Sequence, residues 1–264
     1  MSEASGETKA AGGAIVPAPD LNAELLALVR RQRAASSAGL RLLNQIGGRA
    51  ENLLGRLPGP VQDQLEGATR RAMELAFGAA SRTRSRVPDG GDWLNTALTT
   101  AMGAAGGAGG LPSALAELPV TVTVLMRAIQ GIADEHGFDP ASEEVRLLCL
   151  QTFAAAGPMK DDDGAELSFL TMRVALSGPA LKGVVGRVAP IFAQVLGRKL
   201  AAQAVPVLGA VAGAATNYVY TSYYQEMARV QFGLRRIAID RGLDHAALVE
   251  TFRQMVREDR LAAG

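Results

Sequence analysis

The sequence predicts an all-α protein: a single compact bundle of many helices, Gly- and Ala-rich and closely packed, behind a disordered N-terminal tail. Aromatic residues make up only 5% of the chain while glycine fills 30 positions, a composition suited to thin helices in close contact. Apolar residues recur at three- and four-residue intervals along most of the length. Pro and Gly fall at the ends of these periodic segments, where they punctuate helices. At 264 residues the chain can bury a substantial core.

Residues 1–19, rich in Gly, Ala, Ser and Pro, form the predicted tail, and residues 20–264 form one helical domain that begins at Asp20 as N-cap. From Leu21 to about Leu57 the apolar positions Leu21, Leu25, Leu28, Leu42, Leu43, Ile46 and Leu53 recur at mainly helical intervals, until Pro58-Gly59-Pro60 breaks the chain. A second helix is expected from about Val61 to Ser81, followed by the basic connection SRTRSRVPDGG. The arginines of both segments are read as a solvated face, with partner binding as the alternative.

The stretch from Ala101 to Gly137 holds competing signals. Alternation in Val120-Thr121-Val122-Thr123-Val124 permits a strand. However, Leu118, Val122, Leu125, Met126, Ile129, Ile132 and Ala133 fit a helical stripe over a longer window, which decides for helix. Gly137 suits a left-handed residue just past that helix, with His136 in its last turn. Asp139-Pro140 then reads as N-cap and first residue of a helix bearing Val145, Leu148, Cys149, Thr152 and Phe153 on one face, stopped by Gly157-Pro158. Leu181–Leu200 is amphipathic and basic, with Val184, Val185, Val188, Ile191, Phe192, Val195 and Leu196 on one side, Arg187, Gln194 and Arg198 on the other, and Pro190 as a place to bend. After Pro206 a helix runs to about Arg241, and Asp244 opens a last one carrying Leu248, Val249, Phe252, Met255 and Val256.

The formal charge of +1 argues against a nucleic-acid binder, which usually carries a clear basic excess. The charge is unevenly placed: acids dominate from Glu117 to Glu166, whereas Leu167 to Gln225 holds no acid and the bases Arg173, Lys182, Arg187, Arg198 and Lys199. Cys149 is the only cysteine, so neither an intrachain disulfide nor a Cys-rich zinc site can form. The N-terminus lacks the apolar region of a secretory signal, and a cytoplasmic location is expected.

Two ordered blocks carry a family resemblance. GGLPSALAELPVTVTVLMRAIQGIADEHGFDPASEEVRLLCLQTFA, followed downstream by AVPVLGAVAGAATNYVYTSYYQEMARVQFGLRRI, resembles the EcsC family of bacterial proteins over roughly Leu42 to Ile239. Leu118, Pro119, Arg127, Gly137, Glu144, Val145 and Arg146 match the first block, and Pro206, Gly209, Gly213, Asn217, Ala228, Phe232 and Arg235 the second. Members often carry His before that Phe, where this chain has Gln231. The resemblance implies a setting beside an ABC transport system and no agreed activity.

Familiar chemistry is not written in the chain. Gly103, Gly106, Gly107, Gly109 and Gly110 form neither a GxGxxG nor a P-loop pattern, and no GxSxG or HExxH occurs. The pair Gly103 and Gly107, like Gly209 and Gly213, has GxxxG spacing, which permits close helix contact in a soluble core, the preferred reading, or in a bilayer, the alternative. Asp161-Asp162-Asp163 reads as a solvated loop, and no cofactor or metal is expected. Arg127, Glu144 and Arg146, on neighbouring helices, are expected to form an ion-pair network, or alternatively an anion site, with Asn217 as a further polar candidate. Lys182, Arg187, Arg198 and Lys199 are the candidate contacts to a lipid surface or a transporter component. The expected function is thus a non-enzymatic accessory protein peripheral to the inner membrane face. The alternative is a hydrolase, which a deep pocket lined by Arg127, Glu144, Asn217 and Tyr218 would favour.

Overall fold

The structure, a computed structural model, describes residues 20–45, 55, 57–84, 118–158, 165–172, 180–203 and 209–263. In chain order these hold α1 (Leu21–Gln45), α2 (Gly59–Arg84), α3 (Leu118–Glu135), α4 (Glu143–Thr152), a 3-10 helix (Ala165–Thr171), α5 (Ala180–Gln203), α6 (Gly209–Arg241) and α7 (His245–Ala263). No strand occurs among the described residues, so the all-α expectation holds. The predicted tail 1–19, the glycines from Gly103 to Gly110 and the Asp161–Asp163 run lie outside the described residues.

The β-branched run Val120–Val124 is helical, as the longer periodicity predicts. All seven positions of the predicted stripe are buried, and the Thr123 hydroxyl turns back to donate to the Pro119 carbonyl at 2.7 Å, a bond that accommodates threonine within a helix. Thr121, Val124, Ala128 and Gln130 are buried too, because α3 packs on α2 and α6 as well as on α4. A stripe on one side therefore understates how much of this helix is core.

The centre of the bundle is α6, which touches α1, α3, α4, α5 and α7. Its 33 residues make a rod about 50 Å long at the usual helical rise. Between Thr216 and Leu234 it is buried on nearly all sides, which explains the absence of a clear amphipathic pattern there. Tyr224 packs against Phe153 of the turn after α4 and Phe192 of α5, with ring centroids at 5.6 and 5.5 Å; Phe153 and Phe192 lie 4.7 Å apart. The Tyr224 and Tyr220 hydroxyls donate to the carbonyls of Ala155 and Val195, so neither buried phenol lacks a partner.

Two boundaries differ from expectation. Ser142, not Asp139, caps α4: its backbone is extended and its hydroxyl accepts from the Val145 amide at 3.3 Å. Asp139 makes a tight turn of its own by accepting from the Ala141 amide at 2.9 Å, which moves the helix start past Pro140. The helix then ends at Thr152, five residues before the predicted Gly157 stop. Elsewhere α5 runs unbroken through Pro190.

Burial also corrects the reading of α5. Val184, Val185, Val188, Phe192, Val195 and Leu196 are buried in the core beneath α2, α4 and α6, which takes the apolar side of the Leu181–Leu200 helix out of any contact with a lipid surface or a partner. The face is apolar because the bundle needs it, and α5 is amphipathic because its other side meets water. Cys149 is fully buried, as its place on the apolar stripe predicts.

Candidate functional site

Two helix endings build the most distinctive recess among the described residues. At the end of α3, Gly137 takes φ +78°, the Gly137 amide donates to the Asp134 carbonyl at 2.8 Å and the Phe138 amide to Ala133 at 3.0 Å. This is a Schellman stop, which requires a left-handed residue and so selects glycine. At the end of α6 the same motif recurs: Gly242 has φ +63°, its amide donates to Ile239 at 3.2 Å, and the Leu243 amide donates to Ala238 at 2.8 Å. Phe138 and Leu243, the residues just beyond each glycine, are turned toward one cleft.

Each stop is followed by a capped helix whose first turn contributes a titratable group. Ser142 caps α4 and places Glu144; Asp244 caps α7 through its bond from the Ala247 amide at 2.8 Å and places His245. Arg235 reaches the recess from α6, where Phe232 one turn earlier packs on Phe138 at 5.4 Å between centroids. The cleft has a volume of about 390 Å³, and Val145, Leu148, Ala238 and Ile239 complete its apolar walls. Ile239 is 62% exposed and Leu243 40%, so the rim offers apolar surface to solvent.

Burial governs the charges. Desolvation lowers the Arg235 pKa, partly offset by Glu144, whose negative charge favours the guanidinium. His245 is pushed down to about 4, first by burial and then by Arg235, with Asp244 pulling weakly the other way. The imidazole is therefore neutral at physiological pH. Arg235 Nε and His245 Nε2 are both enclosed and lack a hydrogen-bond partner among the described residues.

Residues 91–237 match the family model described as the EcsC protein family, more than half of the 264 residues. The chain belongs to the EcsC family. No curated protein and no solved structure matches it. Within the EcsC match lie Glu144 from the first sequence block and Arg235 from the second, so the fold brings the two blocks together at the cleft; His245 stands just beyond the matched span.

The residues singled out by sequence are dispersed. Glu144 faces the cleft, whereas Arg146, two positions on, lies over the Phe77 ring of α2 at 3.8 Å and donates to the Phe77 carbonyl. Residues two apart on a helix do not share a face, so the expected network of Arg127, Glu144 and Arg146 does not assemble around Glu144. Arg127 is half-buried on α3. Asn217, only 3% exposed, sits 18 residues before Arg235 on α6, about 27 Å along the rod, and cannot join Glu144 in one pocket. Tyr218 beside it points outward at 55% exposure.

The basic candidates divide in the same way. Lys182 and Arg187 are exposed on α5, while Arg198 is half-buried and donates to the Ala156 carbonyl. Lys199 is only 6% exposed and is not a surface contact. Sequence reasoning overlooked Arg235 and His245 as site residues. The signals were present: a histidine directly after a helix-capping Asp, and an arginine one turn after the matched Phe232.

Proposed function

We propose that this EcsC protein works by binding: it is a helical accessory protein without chemistry of its own, and the cleft between the α3–α4 and α6–α7 corners seats its ligand. One observation carries this reading. Glu144 and Arg235, distant in sequence, converge on a recess with an exposed apolar rim, and the Arg235 guanidinium is held there at a desolvation cost that Glu144 only partly offsets. Methyl-detected NMR with a fragment library tests it: hits should cluster on Ile239, Leu243 and Leu148, vanish when Ala238→Phe fills the recess, and be recovered intact. Hits elsewhere on the surface would sink the proposal. Conversion of the fragments would instead establish the hydrolytic alternative, in which neutral His245 and Glu144 supply the acid–base groups.

A second reading concerns location at a membrane, where a transport component would be the partner. Its support is the exposed pair Lys182 and Arg187, beside which Arg70 of α2 brings Nη1 to within 3.9 Å of the position a Gly186 side chain would occupy. Basic residues near an anionic leaflet contribute about 1 kcal/mol each, so reversible attachment needs several of them acting together. Co-sedimentation with anionic vesicles at low salt should be lost in Lys182→Glu/Arg187→Glu. Absence of binding, or binding indifferent to that change, would end the lipid reading.

A further inference from the structure

We infer that the cleft takes a small zwitterion with an apolar side, of the kind of a hydrophobic α-amino acid, its carboxylate against Arg235 and its ammonium against Glu144. The inference rests on the binding role proposed above and adds the chemistry of the ligand.

The first argument is that these two charges do not satisfy each other. Several other arginine–carboxylate neighbours of the protein close directly: Arg31 with Glu226 at 2.9 Å, Arg33 with Asp259 at 3.0 Å, Arg236 with Asp240 at 2.7 Å and Arg241 with Glu24 at 2.9 Å. Arg235 and Glu144 share one recess and feel each other's charge, yet among the described residues no ion pair joins them, and Arg235 Nε stays enclosed without a partner. A ligand carboxylate set against the part of Arg235 that lines the cleft offsets the desolvation that burial imposes on the guanidinium.

The second argument is charge balance. His245 is neutral, so the cleft presents one cation and one anion and no net charge. A simple anion attracted by Arg235 meets Glu144, and a simple cation drawn to Glu144 meets Arg235. A zwitterion satisfies both, and the neutral imidazole leaves that balance undisturbed. The third argument is size and wall chemistry. About 390 Å³ lies at the small end of ordinary ligand sites, and Phe138, Leu148, Ile239 and Leu243 suit a branched or aromatic side chain.

Isothermal titration calorimetry of the full chain tests this with four probes: L-leucine, L-phenylalanine, 4-methylpentanoate and 3-methylbutylamine. The two amino acids should bind at one site, and the singly charged analogues at least about tenfold more weakly. Arg235→Met should abolish amino-acid binding. Because Arg235 is partly buried and its loss can perturb folding, Glu144→Gln on the exposed first turn of α4 is the second variant, expected to weaken leucine at least about tenfold while leaving 4-methylpentanoate unchanged or tighter. Equal binding of either singly charged analogue, or leucine affinity unchanged in Glu144→Gln, would overturn the zwitterion while leaving a ligand-binding cleft. If neither amino acid binds at millimolar concentration, the inference fails; if NMR fragments also miss the cleft, the binding role fails with it. Flotation on phosphatidylethanolamine vesicles that requires both Arg235 and Glu144, without binding of free amino acids, would assign the same chemistry to a lipid headgroup and overturn the free amino acid as ligand.

Discussion

The guanidinium carbon of Arg146 lies 3.8 Å above the centre of the Phe77 ring while its Nη2 donates to the Phe77 backbone carbonyl at 2.6 Å. One side chain on α4 thereby grips both the ring and the main chain of α2. Burial lowers the Arg146 pKa, with Glu143 the main opposing influence, so the charge is retained at some desolvation cost and the contact with α2 compensates.

Arg146→Met should therefore lower stability by about 2 kcal/mol, more than a surface ion pair is worth. Chemical denaturation in low and high salt provides the check. A contact of this kind keeps its contribution in high salt, whereas an exposed ion pair loses it.

One glycine at a helix stop and one inside a helix make a paired prediction. Gly242→Ala forces a Cβ into a left-handed backbone at φ +63° and should cost about 1–2 kcal/mol. Gly183 in the first turns of α5 has open space where a Cβ would go, so Gly183→Ala should raise stability by about 0.5–1 kcal/mol. Thermal melts of the two variants would move in opposite directions.

Gln231 is a structural tie between α4 and α6. It is 1% exposed, its Nε2 donates to the Leu148 carbonyl at 3.1 Å, and its Oε1 accepts from the Thr152 hydroxyl at 2.8 Å. Gln231→Leu removes both bonds between the helices but leaves the Thr152 hydroxyl the Leu148 carbonyl at 3.3 Å as acceptor, so it should cost about 1–2 kcal/mol, while Thr152→Val/Gln231→Leu together should cost less than the sum of the single changes. A double-mutant cycle on urea unfolding measures the difference.

His245 predicts a pH dependence. Its folded pKa of about 4 lies below the ordinary 6.5, so between those values the unfolded chain binds more protons and stability rises with pH. The destabilisation is absent above about 6.5 and complete below about 4. His245→Asn should flatten the urea midpoint across that window; an unchanged slope would show that the ring is not held neutral by burial and Arg235.

Most of the fold was legible where a helix has one wet side. Leu248, Val249, Phe252 and Val256 of α7 are buried, with Met255 packed at the edge, as their spacing predicts. The helix stop at Gly137 was legible because one geometry demands that residue. The cleft was not: periodicity places side chains around an axis but says nothing about which ends of distant helices meet, and the approach of Arg235 to Glu144 depends on the path of α6 across the bundle. For α5, an amphipathic pattern could not reveal whether its apolar face met this chain or a foreign surface. Packing resolved that in favour of the core.

The cleft has an unusual frame, since Phe138 and Leu243 each follow a left-handed glycine at the end of a helix. Its aperture is consequently set by two backbone corners and not by the girth of the helices. Lengthening or resetting either corner would retune the opening while the interior packing stayed as it is, so relatives could diverge in what they admit without having to relearn how to fold.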